Sequence, residues 1–240
     1  MRLILLLFVV ILSSSSAYAC EGLSYTQDQL KDDAIWSPYL RRGMKHFGNK
    51  EDEKAIACFK KIAHYEPGIA NIRIATVYHL RYKSDQANAS LRKHAISYYN
   101  KGLEYPENIS VSFIRTQLKK LLVTLSNEEI TQLQSSANGT SRYNHFNAGL
   151  YHVDNANPIQ ALHYLKLAAD DKYWPAKLLL GQLYNPALKY NTTFIPFSKD
   201  IKKAAYWLKK AHTQAPTKML ERQLLHLEEY KKSLHTLHEH

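Results

Sequence analysis

The chain has 240 residues and a formal net charge of +11. Removal of an N-terminal signal leaves about 220 residues, enough for one elongated domain or two compact ones, and no second apolar segment is long enough to span a membrane. The lysines are dispersed in helical patterns, which is typical of solvated helix faces and not of a nucleic-acid-binding stripe. In the alternative, the positive charge serves to bind an acidic component of the cell envelope.

Residues 1–19 have the pattern of a secretory signal peptide. Arg2 precedes an apolar run over residues 3–12, and small residues stand at Ala17 and Ala19. We therefore predict cleavage after Ala19 and export to the periplasm or the cell exterior. The alternative is a lipoprotein anchored at Cys20, against which the bulky side chain of Tyr18 argues.

The two cysteines, Cys20 and Cys58, are too few for a disulfide framework. In an oxidising compartment they could form one disulfide that ties an N-terminal capping segment, residues 20–35, to the first repeat. In the alternative, Cys58 is a small buried apolar residue and Cys20 is free or acylated.

The pattern after residue 35 is helical, because glycine and proline are scarce and apolar residues recur at the helix period. A second spacing is superimposed on it. Gly43 precedes Ala55 by twelve residues, Gly149 precedes Ala161 by twelve, and each alanine is followed by a tyrosine after twenty-three. Two copies of one plan predict helical hairpins whose apolar faces cover one another.

These positions carry a family resemblance. The first copy resembles the tetratricopeptide repeat at Tyr39, Gly43, Ala55, Phe59 and Pro67. The later copies are similar to the Sel1-like repeat at Ala161, Ala176, Gly181, Tyr184, Ala204 and Trp207. The resemblance implies an all-α, right-handed superhelical solenoid of antiparallel helix hairpins that binds a protein or peptide and needs no cofactor.

The chain order then predicts four parts after the capping segment. They are two tetratricopeptide-like hairpins over 36–107, a helical connector over 108–140, Sel1-like repeats over 141–215, and a C-terminal capping helix over 216–240. Twenty residues separate Ala75 from Ala95 where Gly43–Ala55 and Gly149–Ala161 have twelve, so we expect an inserted loop near residues 84–89. Gly181 and Ala204 are twenty-three residues apart. A second long loop is expected near residues 186–199, and Ser126 to Glu129 is typical of a capping box.

In repeats of this kind the first helices line a concave groove. The resemblance places ten residues there: Leu40, Met44, Phe47, Ile72, Thr76, His79, Phe146, Leu150, Gln182 and Asn185. For each of them, ordinary packing between repeats is the alternative.

The sequence contains neither a phosphate-binding glycine loop nor a nucleophile elbow, and we expect no metal site. Three histidines, His235, His238 and His240, lie at the C-terminus, where we expect the chain to fray. The favoured hypothesis is a non-catalytic binding scaffold or adaptor of the cell envelope or secreted space. The alternatives are a cell-envelope enzyme and a host-directed secreted effector built on the same repeats.

Overall fold

A computed structural model describes Cys20 and residues 37–106, 110–135, 141–188 and 197–238. Eleven helices and no strand occupy these residues, so the expected all-α class is confirmed: α1 Ser37–Gly48, α2 Asp52–Ile62, α3 Pro67–Ser84, α4 Ala89–Gly102, α5 Val111–Leu122, α6 Asn127–Ser135, α7 Ser141–Asp154, α8 Pro158–Asp170, α9 Trp174–Tyr184, α10 Ile201–Gln214 and α11 Lys218–His238. None of the described helices is both long and apolar enough to cross a bilayer.

The chain divides into two compact units, residues 1–109 and 110–240. In the first unit α1 pairs with α2 and α3 with α4, and α2 also packs on α3. In the second unit the pairs are α7 with α8 and α9 with α10, while α5 and α6 pack on α7 and α11 packs on α10. The predicted connector helices therefore belong to the second unit.

A close approach between the two helices of a pair recurs at the repeat glycines. A Cβ atom at Gly149 would lie 2.7 Å from Cγ of Leu165, and one at Gly181 would lie 2.7 Å from Cγ of Leu208. The repeat alanines have no exposed surface: Ala55, Ala161 and Ala204. Small residues at these positions are thus what lets the paired helices pack closely.

The first unit has a core to which the N-terminal cysteine belongs. Cys20 is bonded to Cys58 in a disulfide whose Cα atoms are 5.5 Å apart, and both residues are buried. The ring of Phe59 lies over Gly43, where a Cβ atom would approach Cε1 to 2.6 Å. Ile62 completes this cluster with no exposed surface. The disulfide thus joins residue 20 to the buried face of α2.

The loop expected near residues 84–89 is present at residues 85–88, but most of the extra residues between Ala75 and Ala95 lie in the two helices that flank it. Helix α3 continues for nine residues beyond Ala75, whereas α1 continues for five beyond Gly43. Helix α4 begins six residues before Ala95, and α2 begins three residues before Ala55. The loop itself is only residues 85–88. Since this stretch contains no glycine or proline to end a helix, it lengthens both helices by about one turn.

Side chains cap the N-termini of two other helices, α6 and α11. The capping box is confirmed, because the Ser126 hydroxyl accepts from the Glu129 amide at 3.2 Å and the Glu129 carboxylate accepts from the Ser126 amide at 3.0 Å. Helix α11 begins at Lys218, with Thr217 accepting from the backbone near its start. Pro216 therefore precedes the helix instead of forming its first turn.

Several predicted segments fall outside the described residues. These are the signal peptide, residues 1–19, most of the capping segment 20–35, and residues 189–196 of the long loop expected after α9. The side chains of the three C-terminal histidines are outside them too.

Candidate binding cleft

The first unit carries a surface cleft of about 570 Å³. It lies where the end of α1, the end of α3 and the start of α4 meet. The residues that line it are Phe47, Gly48, Lys50, Asp52, Val77, Leu80, Arg81, Ser84, Asp85, Asn88 and Leu91. Residues 77–91, which are the end of α3, the loop 85–88 and the start of α4, supply seven of these eleven residues, so this side of the cleft is formed by the lengthened hairpin.

The floor of the cleft is apolar. Val77 and Leu91 are 1% and 9% exposed, and Phe47 is half-buried. Leu80 is 43% exposed, and Met44, one turn before Phe47 on α1, is 38% exposed. Covering a leucine or methionine side chain with a partner is favourable, at about 25 cal/mol per Å² of apolar surface buried. The floor is therefore a surface on which an apolar side chain would be stabilised.

The rim of the cleft is charged, with both signs present. Arg81 donates to the Glu53 carboxylate at 2.6 Å and lies 3.9 Å from Asp52, which holds α3 against α2. Lys50 and Asp85 form no ion pair with any described residue and are exposed. One cation and one carboxylate are thus available to meet charges of a bound molecule.

The turn that carries Lys50 is held by Glu51. Its carboxylate accepts from Lys54 at 2.8 Å and lies 2.5 Å from Nδ1 of His46. Hydrogen bonds from Lys54 and then from His46 lower the pKa of Glu51 below its ordinary value. The carboxylate therefore stays ionised around neutral pH and fixes the α1–α2 turn at the edge of the cleft.

The predicted groove residues of α1 lie on or beside the cleft. Phe47 lines it, Met44 is exposed next to it, and Leu40 packs against the core cluster around the disulfide. These three positions share one face of α1 because they are spaced by four and three residues. Of the ten predicted groove residues, Phe47 is the one that lines the cleft.

The three predicted groove residues of α3 face α4 instead of the cleft. Ile72 lies against Gly102, His79 is 5% exposed with its Nδ1 3.4 Å from the Tyr99 hydroxyl, and Thr76 donates to the backbone carbonyl of Ile72. The groove assignment is corrected for these residues. They were placed by analogy with other repeats, and here this face of α3 packs against α4.

The four predicted groove residues of the second unit are buried. Exposure is at most 6% for Phe146, Leu150, Gln182 and Asn185. Gln182 accepts from Arg115 of α5 at 2.7 Å and donates to Gln223 of α11 at 3.3 Å. Asn185 accepts from the backbone of Ala187 and so fixes the chain after α9. The assignment is corrected here as well, because Arg115 of α5 and Gln223 of α11 bond to Gln182 and the ring of Phe146 packs on Tyr173.

Sequence reasoning missed the cleft residues of the extended hairpin, above all Leu80, Arg81, Asp85 and Leu91. The signal that could have found them is the absence of any helix-breaking residue between Ala75 and Ala95, which favours longer helices over a loop. Among the described residues, no group of three histidine, cysteine, aspartate or glutamate side chains is placed to hold a metal ion.

Comparison of the chain with known protein families, with curated proteins and with solved structures gives no match.

Proposed function

We propose that the chain is a non-catalytic scaffold that binds a protein or peptide in the cleft of the first unit. The observation that carries this proposal is an apolar floor left exposed at Leu80 and bordered by Lys50 and Asp85, which have no ion-pair partners among the described residues. A peptide segment with an apolar side chain between an acidic and a basic residue has the matching chemistry. The apolar side chain supplies affinity and the two charges supply orientation.

The repeat identity belongs to the same proposal. Four helix pairs with buried repeat alanines support hairpins of the tetratricopeptide-like or Sel1-like kind, stacked as a solenoid within each unit. Such repeats serve many different partners, so the partner is argued from the cleft and not from the resemblance.

Export to the periplasm or the cell exterior is the third element of the proposal. The signal pattern of residues 1–19 supports it, and so does the disulfide, since disulfides persist mainly in oxidising compartments. The intact mass of the exported chain tests it. A chain that starts at Cys20 and lacks two hydrogens supports export with the disulfide formed. A lipid adduct on Cys20 contradicts the disulfide and favours the lipoprotein alternative, because one sulfur cannot carry both bonds. A chain that retains residues 1–19 contradicts export.

Peptide selection tests the binding site. A displayed library of random peptides is selected on the exported chain, and the enriched peptides are measured by fluorescence polarisation against three proteins. These are the unmodified chain, Leu80→Glu in the cleft floor, and Leu225→Glu, a leucine of α11 that is 61% exposed and serves as the matched control. We expect binding to weaken at least about tenfold in Leu80→Glu only, as for a residue at the centre of an interface. Enriched peptides that bind all three proteins equally, or no enrichment at all, would contradict the cleft as the binding site.

A further inference from the structure

The second unit contains a separate cavity of about 160 Å³ between α5 and the helices α7 and α9. Its two walls differ in chemistry. One wall is polar and is formed by one face of α5, through Ser112, Arg115, Thr116 and Lys119. The other wall is apolar and is formed by Leu150, Val153 and Leu179. An amphiphilic small molecule would satisfy both walls, whereas water alone would satisfy only the first.

Arg115 is the group in the polar wall with unused hydrogen-bonding capacity. Its guanidinium donates to the neutral side chain of Gln182 at 2.7 Å and pairs with no carboxylate in the described part of the chain. A guanidinium has five N–H donors, so most of the donors of Arg115 are not used by Gln182. Lys119, in contrast, is already paired with Asp154 at 2.5 Å. The missing partner of Arg115 is therefore an anion.

A hydroxyl beside Arg115 can add a second donor. Ser110 accepts from the Phe113 amide at 3.3 Å, and its oxygen lies 3.2 Å from that of Ser112. When the Ser110 hydroxyl donates to Ser112, the hydrogen of Ser112 is free to donate into the cavity. The Thr116 hydroxyl is engaged, because it donates to the Ser112 carbonyl at 3.0 Å. A planar anion can thus accept from Arg115 and Ser112 together.

The size of the cavity limits the rest of the ligand. Cavities of about 150 Å³ lined by aliphatic side chains hold a ligand as large as benzene. Leu150, Val153 and Leu179 are at most 2% exposed, so a tail between them would lie in an apolar environment. About four or five carbon atoms are therefore the longest tail that the cavity accommodates.

We propose that this cavity is a binding site for a short-chain aliphatic carboxylate, with its carboxylate on Arg115 and Ser112 and its tail against Leu150, Val153 and Leu179. The site lies in the second unit and the peptide cleft in the first, so a negative result for one proposal does not contradict the other.

Calorimetric titration of the unmodified chain with straight-chain carboxylates from acetate to octanoate tests the proposal. We expect the affinity to rise about fourfold for each added methylene, the effect of burying one such group, up to pentanoate or hexanoate and then to stop rising. Pentanamide, which has the same tail without the charge, should bind at least about tenfold more weakly than pentanoate. Both comparisons use the native chain and so do not depend on a variant that folds.

Two variants assign the carboxylate to its partner. Arg115→Gln keeps a hydrogen-bonding side chain near Gln182 and should lose at least about tenfold in affinity for pentanoate. Arg41→Gln removes an exposed arginine of α1 and should bind as the unmodified chain does. If carboxylates of every length and inorganic phosphate bind with equal affinity, the proposal is wrong and the anions associate only weakly with the positive charge. Equal binding of pentanoate by the unmodified chain and by Arg115→Gln would overturn it too.

Discussion

Three residues other than glycine have a positive φ in the described part of the chain, and each follows the end of a helix. Lys50, Ala156 and Lys172 have φ angles of 60°, 55° and 59°. In each case the next amide donates to the carbonyl five residues before it, which is the bond of a Schellman motif. Lys50 and Ala156 also occupy equivalent places, seven residues after Gly43 and Gly149. The first helices of these two pairs thus end in the same way, with a residue other than glycine at the positive φ.

Ala156→Gly should stabilise the second unit by about 0.5 to 1 kcal/mol. A left-handed conformation is unfavourable for any residue with a Cβ atom, and glycine removes that cost despite its greater freedom in the unfolded chain. The matched control is Ala205→Gly inside α10 of the same unit, which should lose about 0.5 to 1 kcal/mol because its conformation is helical. Urea unfolding of the two variants measures both signs. Destabilisation by both would show that Ala156 is not strained.

A histidine of the second unit links stability to pH. Burial lowers the pKa of His152 below its ordinary value of 6.5. Its Nε2 lies 2.9 Å from the amide nitrogen of Gln134, so the neutral ring accepts that hydrogen bond and the protonated ring could not. His152 also stacks on Tyr164 at 5.7 Å between ring centroids. The folded unit therefore favours the uncharged ring.

The free energy of unfolding should consequently fall as the pH is lowered below about 6.5. Between the lowered folded pKa and 6.5 the unfolded chain binds more protons, so stability increases with pH across that interval and is complete above it. We expect His152→Gln to flatten this dependence, and His226→Gln, at an exposed position of α11, to leave it unchanged. Urea unfolding at pH 5, 6, 7 and 8 gives the comparison. An unaltered slope in His152→Gln would contradict the assignment.

At the scale of the helix pair, the sequence spacing predicted which small residues are buried but not how long the helices are. Ala161 and Ala204 have no exposed surface, as expected for small residues where the two helices of a pair meet. Paired rings at matching positions also recur, Tyr78 on Tyr98 and His152 on Tyr164, at 5.8 and 5.7 Å. These ring pairs were not predicted, because a ring's partner depends on how two helices are rotated against each other.

Ala161→Leu should cost roughly 1 to 3 kcal/mol of unfolding free energy, because the α7–α8 pair has no room for three more carbon atoms there. Ala204→Leu should behave alike in the α9–α10 pair. The control is Ala205→Leu, one position along on the half-exposed side of α10, which should change stability by no more than about 0.5 kcal/mol. Urea midpoints decide the outcome. If the two buried variants unfold at the midpoint of the unmodified chain, the repeat alignment is wrong.

At the scale of the whole molecule, the helical class followed from the periodicity, while most of the candidate groove did not. A spacing argument identifies faces that meet within a pair, as at Gly149 and Leu165. It does not show that α5 and α11 cover Gln182, because that contact joins residues far apart in the chain. The spacing placed the extra residues before Ala95 in a loop near residues 84–89, although most of them lengthen α3 and α4 and the loop is only residues 85–88.

The two units are joined by one chain, but only the first contains the disulfide, and this leads to a prediction for the whole molecule. The bond between Cys20 and Cys58 closes a loop of 38 residues. Loop closure of this length removes unfolded-state entropy equivalent to roughly 3 to 4 kcal/mol. Reduction should therefore lower the stability of residues 37–106 by about that amount and leave residues 141–188 unchanged.

Hydrogen exchange followed by mass spectrometry, with and without a phosphine reductant, resolves the two units in one experiment. We expect faster exchange on reduction in α1 and α2, which hold the buried half of the disulfide, and unchanged exchange in α7 to α10. The double variant Cys20→Ala, Cys58→Ala is the control. Its exchange rates should equal those of the reduced chain and should not change when the reductant is added. Faster exchange across both units would mean that they unfold as one cooperative body. No change in α1 and α2 would mean that the disulfide does not stabilise the first unit, since the helices then hold together without it.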